Sequence, residues 1–262
     1  MTNQQTRKLL GVVIPTLGTR ESYLVMCLEA LNSERVYVVL VGPESVRKML
    51  DYRKLRVDDF LVEDPADALA ASINKAVALI PETIPFVTWV GDDDIIQLEQ
   101  LLQALNDVCD DNDVVAVYGN CDYIDETSRF LWKNRPGNRA TRLLSVLPQR
   151  ISQPASAVRH SAWRSIGGLN PIYKLAFDYD LFVRLTRIGN FRYIDKTLAS
   201  YRWHKNALSV NSRKESVFEA YKVRQNNRSR SLHIALLPFE LVVVTATYLF
   251  GFWMNLRLRK SQ

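Results

Sequence analysis

Apolar runs rich in β-branched residues recur along the first half of the chain. Each is cut by a turn and followed by a segment with helical spacing. Leu9 to Ile14 (LLGVVI), ended by Pro15, predicts a first strand, with Thr16 to Arg20 as the loop after it and Glu21 to Leu31 as a helix. Val36 to Val41 predicts a second strand ended by Gly42-Pro43, and Ser45 to Leu50 a short helix. Phe60 to Val62 reads as a third strand closed by Glu63-Asp64-Pro65, and the Ala-rich stretch from Ala66 to Leu79 as a helix. Phe86 to Val90 predicts a buried strand. The next helix is read as capped at Asp94 or its neighbour and running through Val108, with Ile95, Leu98, Leu101, Leu102 and Leu105 as its apolar stripe. Val114 to Tyr118 is a further strand. Strands alternating with helices specify an α/β fold with a mostly parallel sheet covered on both faces. Ligand sites are then expected in the loops that follow the strands.

The second half is less regular. Asn134 to Arg139 reads as a turn-rich loop, Gln153 to Arg159 as a strand, Ser161 to Ile166 as a helix ended by Gly167-Gly168, and Asp178 to Ile188 as a helix. Phe191 to Ile194 and Ala199 to Trp203 read as two strands. Leu232 to Leu256 is apolar apart from His233, Glu240, Asn255 and a few hydroxyls, close to the ~20 residues that span a bilayer. Pro238 and Glu240 interrupt it, so an interfacial helix, a spanning helix and a helix packed on another subunit all remain open.

A chain of 262 residues fits one large domain, or a domain with an appendage. The net charge of +6 is uneven. Arg213, Lys214, Lys222, Arg224, Arg228 and Arg230 cluster late, and Arg257, Arg259 and Lys260 follow the apolar stretch. Basic clusters flanking an apolar segment point to a membrane surface rather than to nucleic acid. Cys27, Cys109 and Cys121 form an odd set without metal-ligand spacing, as expected of thiols in a reducing compartment. Met1 to Lys8 has no apolar leader core, so the expected location is cytoplasmic, at the inner face of the membrane.

The chemistry concentrates at Gly91-Asp92-Asp93-Asp94, directly after the Phe86 strand. Three adjacent carboxylates repel each other and raise one another's pKa values. A divalent cation, Mg²⁺ or Mn²⁺, relieves that repulsion, since carboxylate oxygens are its preferred ligands. The plainer reading is a solvated acidic turn that caps the next helix.

Several motifs, in order, resemble family 2 glycosyltransferases with the GT-A fold. They are Val12-Val13-Ile14-Pro15-Thr16, Asn74, Trp89-Val90-Gly91-Asp92-Asp93-Asp94, Ile166-Gly167-Gly168-Leu169-Asn170, Asp178-Tyr179-Asp180-Leu181 with Arg184-Leu185, and Tyr201-Arg202-Trp203-His204 with Ser209. The likeness spans roughly residues 9 to 210. It implies a transferase domain over 1–212 and a basic, apolar helical tail over 213–262. It implies nucleotide-sugar contacts from Pro15, Thr16 and Asn74, a metal held by Asp93 with Asp94 and His204, and Asp92 on the ribose or behind the metal. Three departures stand out. Gly91 replaces the usual first Asp, the loop after the second strand reads Gly42-Pro43-Glu44-Ser45, and Phe177 sits where an acid often precedes the catalytic Asp.

Transfer of a sugar from a nucleotide diphosphate needs positive charge at the leaving diphosphate and a base for the acceptor hydroxyl. Asp92 to Asp94 supply the first and Asp178 the second; Asp178 read alone is equally a helix N-cap. His204 read alone is a hydrogen-bonded strand-end histidine. Arg20 is read as a phosphate or base contact or as a solvated loop side chain. Asp64 is read as a base-edge contact or as the cap of the helix that begins near Pro65. Trp132 and Trp163 are expected in the core.

The expected activity is metal-dependent, inverting transfer from a UDP-, GDP- or dTDP-sugar to a glycan or polyprenyl-linked acceptor, with no nucleic-acid partner. The alternatives are a sugar nucleotidyltransferase and an inactive, membrane-associated subunit of the same fold.

Overall fold

The computed structural model describes residues 7–63, 69–142, 144–204 and 212–260. The strands are β1 (Leu10–Pro15), β2 (Val36–Gly42), β3 (Asp59–Val62), β4 (Phe86–Trp89), β5 (Ile95–Ile96), β6 (Val114–Ile124), β7 (Phe130–Asn134), β8 (Ser156–Arg159) and β9 (Asn190–Arg202). The helices are α1 (Glu21–Ala30), α2 (Glu44–Arg53), α3 (Leu69–Val77), α4 (Leu98–Asp107), α5 (His160–Ser165), α6 (Phe177–Leu185), α7 (Arg213–Asn226) and α8 (Arg230–Lys260).

One sheet runs in the order β3-β2-β1-β4-β8-β6-β9-β5, with β7 pairing antiparallel with the last residues of β6, Cys121 to Ile124. β3, β2, β1 and β4 are mutually parallel, as are β6 and β9. β8 is antiparallel to both its neighbours. Successive side chains of a strand face opposite sides. Val13, Val87 and Trp89 therefore join Ile73, Val77, Trp163, Phe177 and Phe182 on one face. Val12, Ile14 and Phe86 join Leu24, Leu28, Leu101 and Leu105 on the other. Burial on both faces is why these strands are continuously apolar rather than alternating. The three cysteines are free thiols, Cys27 and Cys121 buried and Cys109 half-buried.

Four local expectations need correction. Ile95 is not the first turn of a helix: Ile95 and Ile96 pair antiparallel with Ser200 and Ala199 of β9, and α4 begins at Leu98. The cause lies one residue earlier, where the Asp94 carboxylate accepts the Arg202 N–H at 2.9 Å and ties this segment to β9. Asp94 therefore caps no helix. The two strands read between Phe191 and Trp203 are a single strand, β9, whose pairing with β6 shifts near Gly119 and Asn120. β7 lies in a stretch to which the sequence pattern assigned no element. Asp178 is no N-cap: Ala176 holds that position and Asp178 lies in the first turn of α6.

Arg159, buried at the end of β8, closes α4 from below. Its guanidinium donates to the carbonyls of Val114 (2.8 Å), Val108 (2.9 Å), Asp111 (2.8 Å) and Cys109 (3.2 Å) and lies 4.8 Å from the Phe86 ring centre. Cations at a helix C-terminus offset its partial negative charge. Arg159→Met is expected to lower unfolding free energy by about 2–3 kcal/mol, because charged hydrogen bonds are lost and carbonyls are left unpaired; urea denaturation measures it.

Candidate functional site

The loop after β4 folds back over the ends of β1 and β9, and each of its three carboxylates is met differently. Asp92 is buried. It accepts the Thr16 hydroxyl at 2.6 Å and pairs with Arg20 Nη2 at 3.0 Å. Burial nevertheless pushes its pKa above the ordinary carboxylate value, outweighing Thr16 and Arg20. Asp93 pairs with Arg20 Nη1, and its Oδ2 lies 2.7 Å from His204 Nε2. Burial alone would raise Asp93, but the His204 hydrogen bond and the Arg20 charge hold it below the usual range. Asp94, spent on the Arg202 backbone, is raised well above its ordinary value by burial and then by the neighbouring Asp93 charge.

His204 Nε2 also lies 2.9 Å from Arg20 Nη1. It serves either as donor to the carboxylate or as acceptor from the guanidinium, as its tautomer dictates. Arg202, fully buried, braces the loop. Its Nε donates to the Asp93 carbonyl at 3.0 Å and Nη1 to the Asp125 carbonyl at 2.8 Å, while the guanidinium lies over the Tyr23 ring. Gly91 has a steric reason: a β-carbon there would sit 2.7 Å from Asp93 Oδ1, so a side chain at 91 competes with this Asp93 rotamer.

The structure thus gathers Thr16, Arg20, Asp92, Asp93 and His204, five of the candidates, with half-buried Pro15 beside them at the end of β1. Asp94 adjoins them in a scaffold role. Asn74 is committed elsewhere: its amide donates to the Leu169 carbonyl at 2.8 Å and accepts the Leu169 N–H at 2.9 Å. It clamps the turn at Gly167 and Gly168, where φ is +75° and +70° and a β-carbon on Gly168 would meet Asn74 Oδ1 at 2.5 Å. Asp64 and Ser209 lie outside the described residues. Trp163 is core, edge-on to Trp89, while Trp132 is half-buried and stacks on Tyr123 at 4.3 Å.

Asp178 belongs to the same region. Phe177 before it packs on Trp89, three residues ahead of Asp92, with ring centres 6.1 Å apart. The Tyr123 hydroxyl is raised by burial above all, and the charges of both Asp94 and Asp178 add to that shift. Through the Phe177–Trp89 ring contact the strand that leads to the acid loop packs on the helix that carries Asp178. Asp178 Oδ1 accepts the Tyr179 N–H at 2.7 Å and Oδ2 accepts from Gln149 Nε2 at 2.8 Å. Its pKa is raised by burial against those hydrogen bonds. Gln149 escaped the sequence reading, as a lone loop glutamine with no spacing signal. Its Oε1 is buried without a hydrogen-bond partner.

Solved structures show whose fold this is. The mannosyltransferase PcManGT from Pyrobaculum calidifontis, in complex with GDP-Man and Mn²⁺, aligns over 92% of this chain and 74% of its own, at 14% identity and a TM-score of 0.62. Residues 1–349 of S. aureus TarS align over 93% of this chain and 80% of that one, at 14% identity and a TM-score of 0.56. A longer S. aureus TarS structure aligns over 87% of this chain but 45% of its own length, at 17% identity and a TM-score of 0.57. The fold is that of GT-A glycosyltransferases. No protein-family model matches the sequence, and no curated protein matches it either.

Within this GT-A fold, no group of three or more His, Cys, Asp and Glu side chains among the described residues is arranged to hold a metal ion. Asp93 Oδ2 and His204 Nε2 are two donor atoms that lie 2.7 Å apart. Such a pair suits Mg²⁺ or Mn²⁺, which take one or two carboxylates and complete their shell with substrate phosphates and water. The Arg20 guanidinium occupies the same space with the same sign of charge. Thr16→Val, nearly isosteric, strands the buried Asp92 oxygen and is expected to cost about 1–3 kcal/mol of unfolding free energy, read by denaturant titration.

Proposed function

We propose that this chain is a metal-dependent, inverting glycosyltransferase of family 2 type. It moves a sugar from a nucleotide-diphospho-sugar to a hydroxyl of a glycan or polyprenyl-linked acceptor in cell-envelope polysaccharide synthesis. The observation that carries this reading is the ring contact between Trp89 and Phe177, which packs the strand leading to the acid loop on the helix that carries Asp178. Asp93 is paired with His204 and Arg20, while Asp178, among the described residues, is hydrogen-bonded to Gln149 and the Tyr179 N–H. The GDP-Man and Mn²⁺ bound by one structural neighbour support the donor class and the metal.

Asp93 and His204 would hold the divalent cation. When bound, it offsets the charge that gathers on the departing diphosphate. Asp92, fixed by Thr16, faces the ribose side. Arg20, which pairs with both Asp92 and Asp93, would supply positive charge to a phosphate oxygen of the donor. Asp178 accepts the proton of the acceptor hydroxyl as that oxygen attacks the anomeric carbon from the face opposite the leaving group, which inverts the centre. Burial suits Asp178 to this role, because a raised pKa makes a carboxylate a stronger base.

Residues 1–212 would form the transferase unit. The tail of 213–262 would bring it to the cytoplasmic face of a membrane. The segment Arg230–Leu249 has a mean hydropathy of 1.8 and is 11% buried, and Leu232, Ile234, Leu237, Leu241, Val242 and Leu249 are exposed along it.

The test is transfer from a panel of UDP-, GDP- and dTDP-sugars with Mn²⁺, using wild type and Asp178→Asn. The variant is expected to bind donor, as seen by thermal shift, and to lose transfer by about 10²–10⁴-fold. Undiminished transfer by Asp178→Asn refutes the assignment. The base works only deprotonated, so kcat/KM is expected to fall on acidification through a pKa above the ordinary Asp value of about 4. A profile flat down to that value contradicts the role.

A further inference from the structure

The groups that hold Asp178 in place come from the C-terminal helices. Glu219 on α7 accepts the N–H groups of Lys174 (3.0 Å), Leu175 (2.8 Å) and Ala176 (3.0 Å), the last three residues before α6, of which Ala176 is the N-cap. α6 begins at the next residue and carries Asp178 in its first turn. The partner of Asp178, Gln149, sits on the loop 144–151, and that loop is gripped at its carbonyls. Arg228 Nε donates to Ser145 at 2.5 Å and Nη2 to Val146 at 3.1 Å, while the Tyr179 hydroxyl reaches Leu144 and Leu147 at 2.5 and 2.6 Å.

The grip continues into α8. Arg228 Nη1 pairs with Glu240 Oε1 at 2.5 Å, and Arg224 binds both Glu240 oxygens at 2.8–3.1 Å. All three side chains are buried at 3% exposure or less. Desolvating such a triad roughly cancels its attraction, so it adds little net stability over apolar packing; what it does supply is a fixed geometry.

We propose that Glu219, Arg228 and Glu240 are positioning residues for Asp178, and that the C-terminal helices thereby complete the catalytic half of the site. The proposal rests on the function assigned to Asp178 above. Glu219 sets where α6 begins. Glu240 orients Arg228, Arg228 sets the 144–149 loop, and the loop aims Gln149 at Asp178. Whatever holds α8 acts on the base through this chain of contacts, and among the described residues none of its hydrogen bonds or ion pairs includes Asp93.

The experiment uses the full-length chain, with kcat, donor KM and melting temperature measured for Glu240→Gln, Glu219→Gln, Arg228→Lys, Gln149→Ala and the Glu240→Gln/Gln149→Ala pair. Asp178→Asn is the reference. Glu240→Gln and Glu219→Gln are expected to lower kcat about tenfold or more, since small misplacements of a reacting group are costly. Donor KM should stay within about twofold, because donor binding is not at stake. The double variant is expected to be no slower than its slower parent, because both changes cut one chain of contacts. Arg228→Lys, which keeps the charge but not the fork, should fall between wild type and Glu240→Gln.

The brace is refuted if Asp178→Asn is dead while Glu240→Gln and Glu219→Gln keep wild-type kcat. It is equally refuted if the two defects of the double variant multiply. Normal turnover by Asp178→Asn instead strikes the assigned function itself. Should Glu240→Gln fail to fold, Glu219→Gln, on a half-buried residue of α7, gives the same readout.

Discussion

Like charges cannot be stacked at the end of a buried strand unless each is answered, and the architecture around Asp92, Asp93 and Asp94 is the set of answers. Asp94 is met by the Arg202 backbone, which welds the loop to β9. Asp92 is met by Thr16 at the end of β1. Asp93 is left with Arg20 and His204, partners that also touch each other. Two of the three acids are thus committed to holding the loop. One, Asp93, is paired with the Arg20 and His204 side chains. The division follows from position: Asp94 points at a strand, Asp92 at a hydroxyl, and Asp93 at a side chain from each of two loops.

That economy explains the sheet. β1 and β4 are parallel neighbours, so the loops that follow them emerge at one edge and bring Thr16 and Arg20 against Asp92 and Asp93. β9 ends at the same edge and delivers Arg202 and His204. On the other side, Trp89 and Phe177 join the acid strand to the helix that carries Asp178.

Much of this was legible in the sequence, and for a physical reason. β1, β2, β4 and β6 are buried on both faces, so their apolar runs admit no other reading. The acid loop stood out as a candidate because ligand sites follow strand ends in an α/β sheet, whereas His204 was marked by the family resemblance. The failures have causes of the same kind. Ile95 shares helical spacing with Leu98 and Leu102, and only a hydrogen bond from a residue 108 positions away shows that it is a strand. β9 looked like two strands because Asp195 and Lys196 are exposed in its middle. Asn74 looked like a ligand contact and is a turn clamp, since an amide satisfied on both sides by one backbone residue leaves no trace in spacing. Gln149 and the Arg224–Arg228–Glu240 triad are single polar residues whose partners are distant in the chain. Glu240 read as an obstacle to a membrane span, whereas it is turned inward and paired.

The central claim is that Asp93 and His204 form a cation site shared with a diphosphate. Mn²⁺ titration followed by the electron paramagnetic resonance of the free ion, in the presence of a nucleoside diphosphate, tests it without any need for the acceptor. Wild type is expected to take up Mn²⁺, and Asp93→Asn to bind it at least about tenfold more weakly. Equal uptake by the two proteins, or none by wild type, would contradict the account.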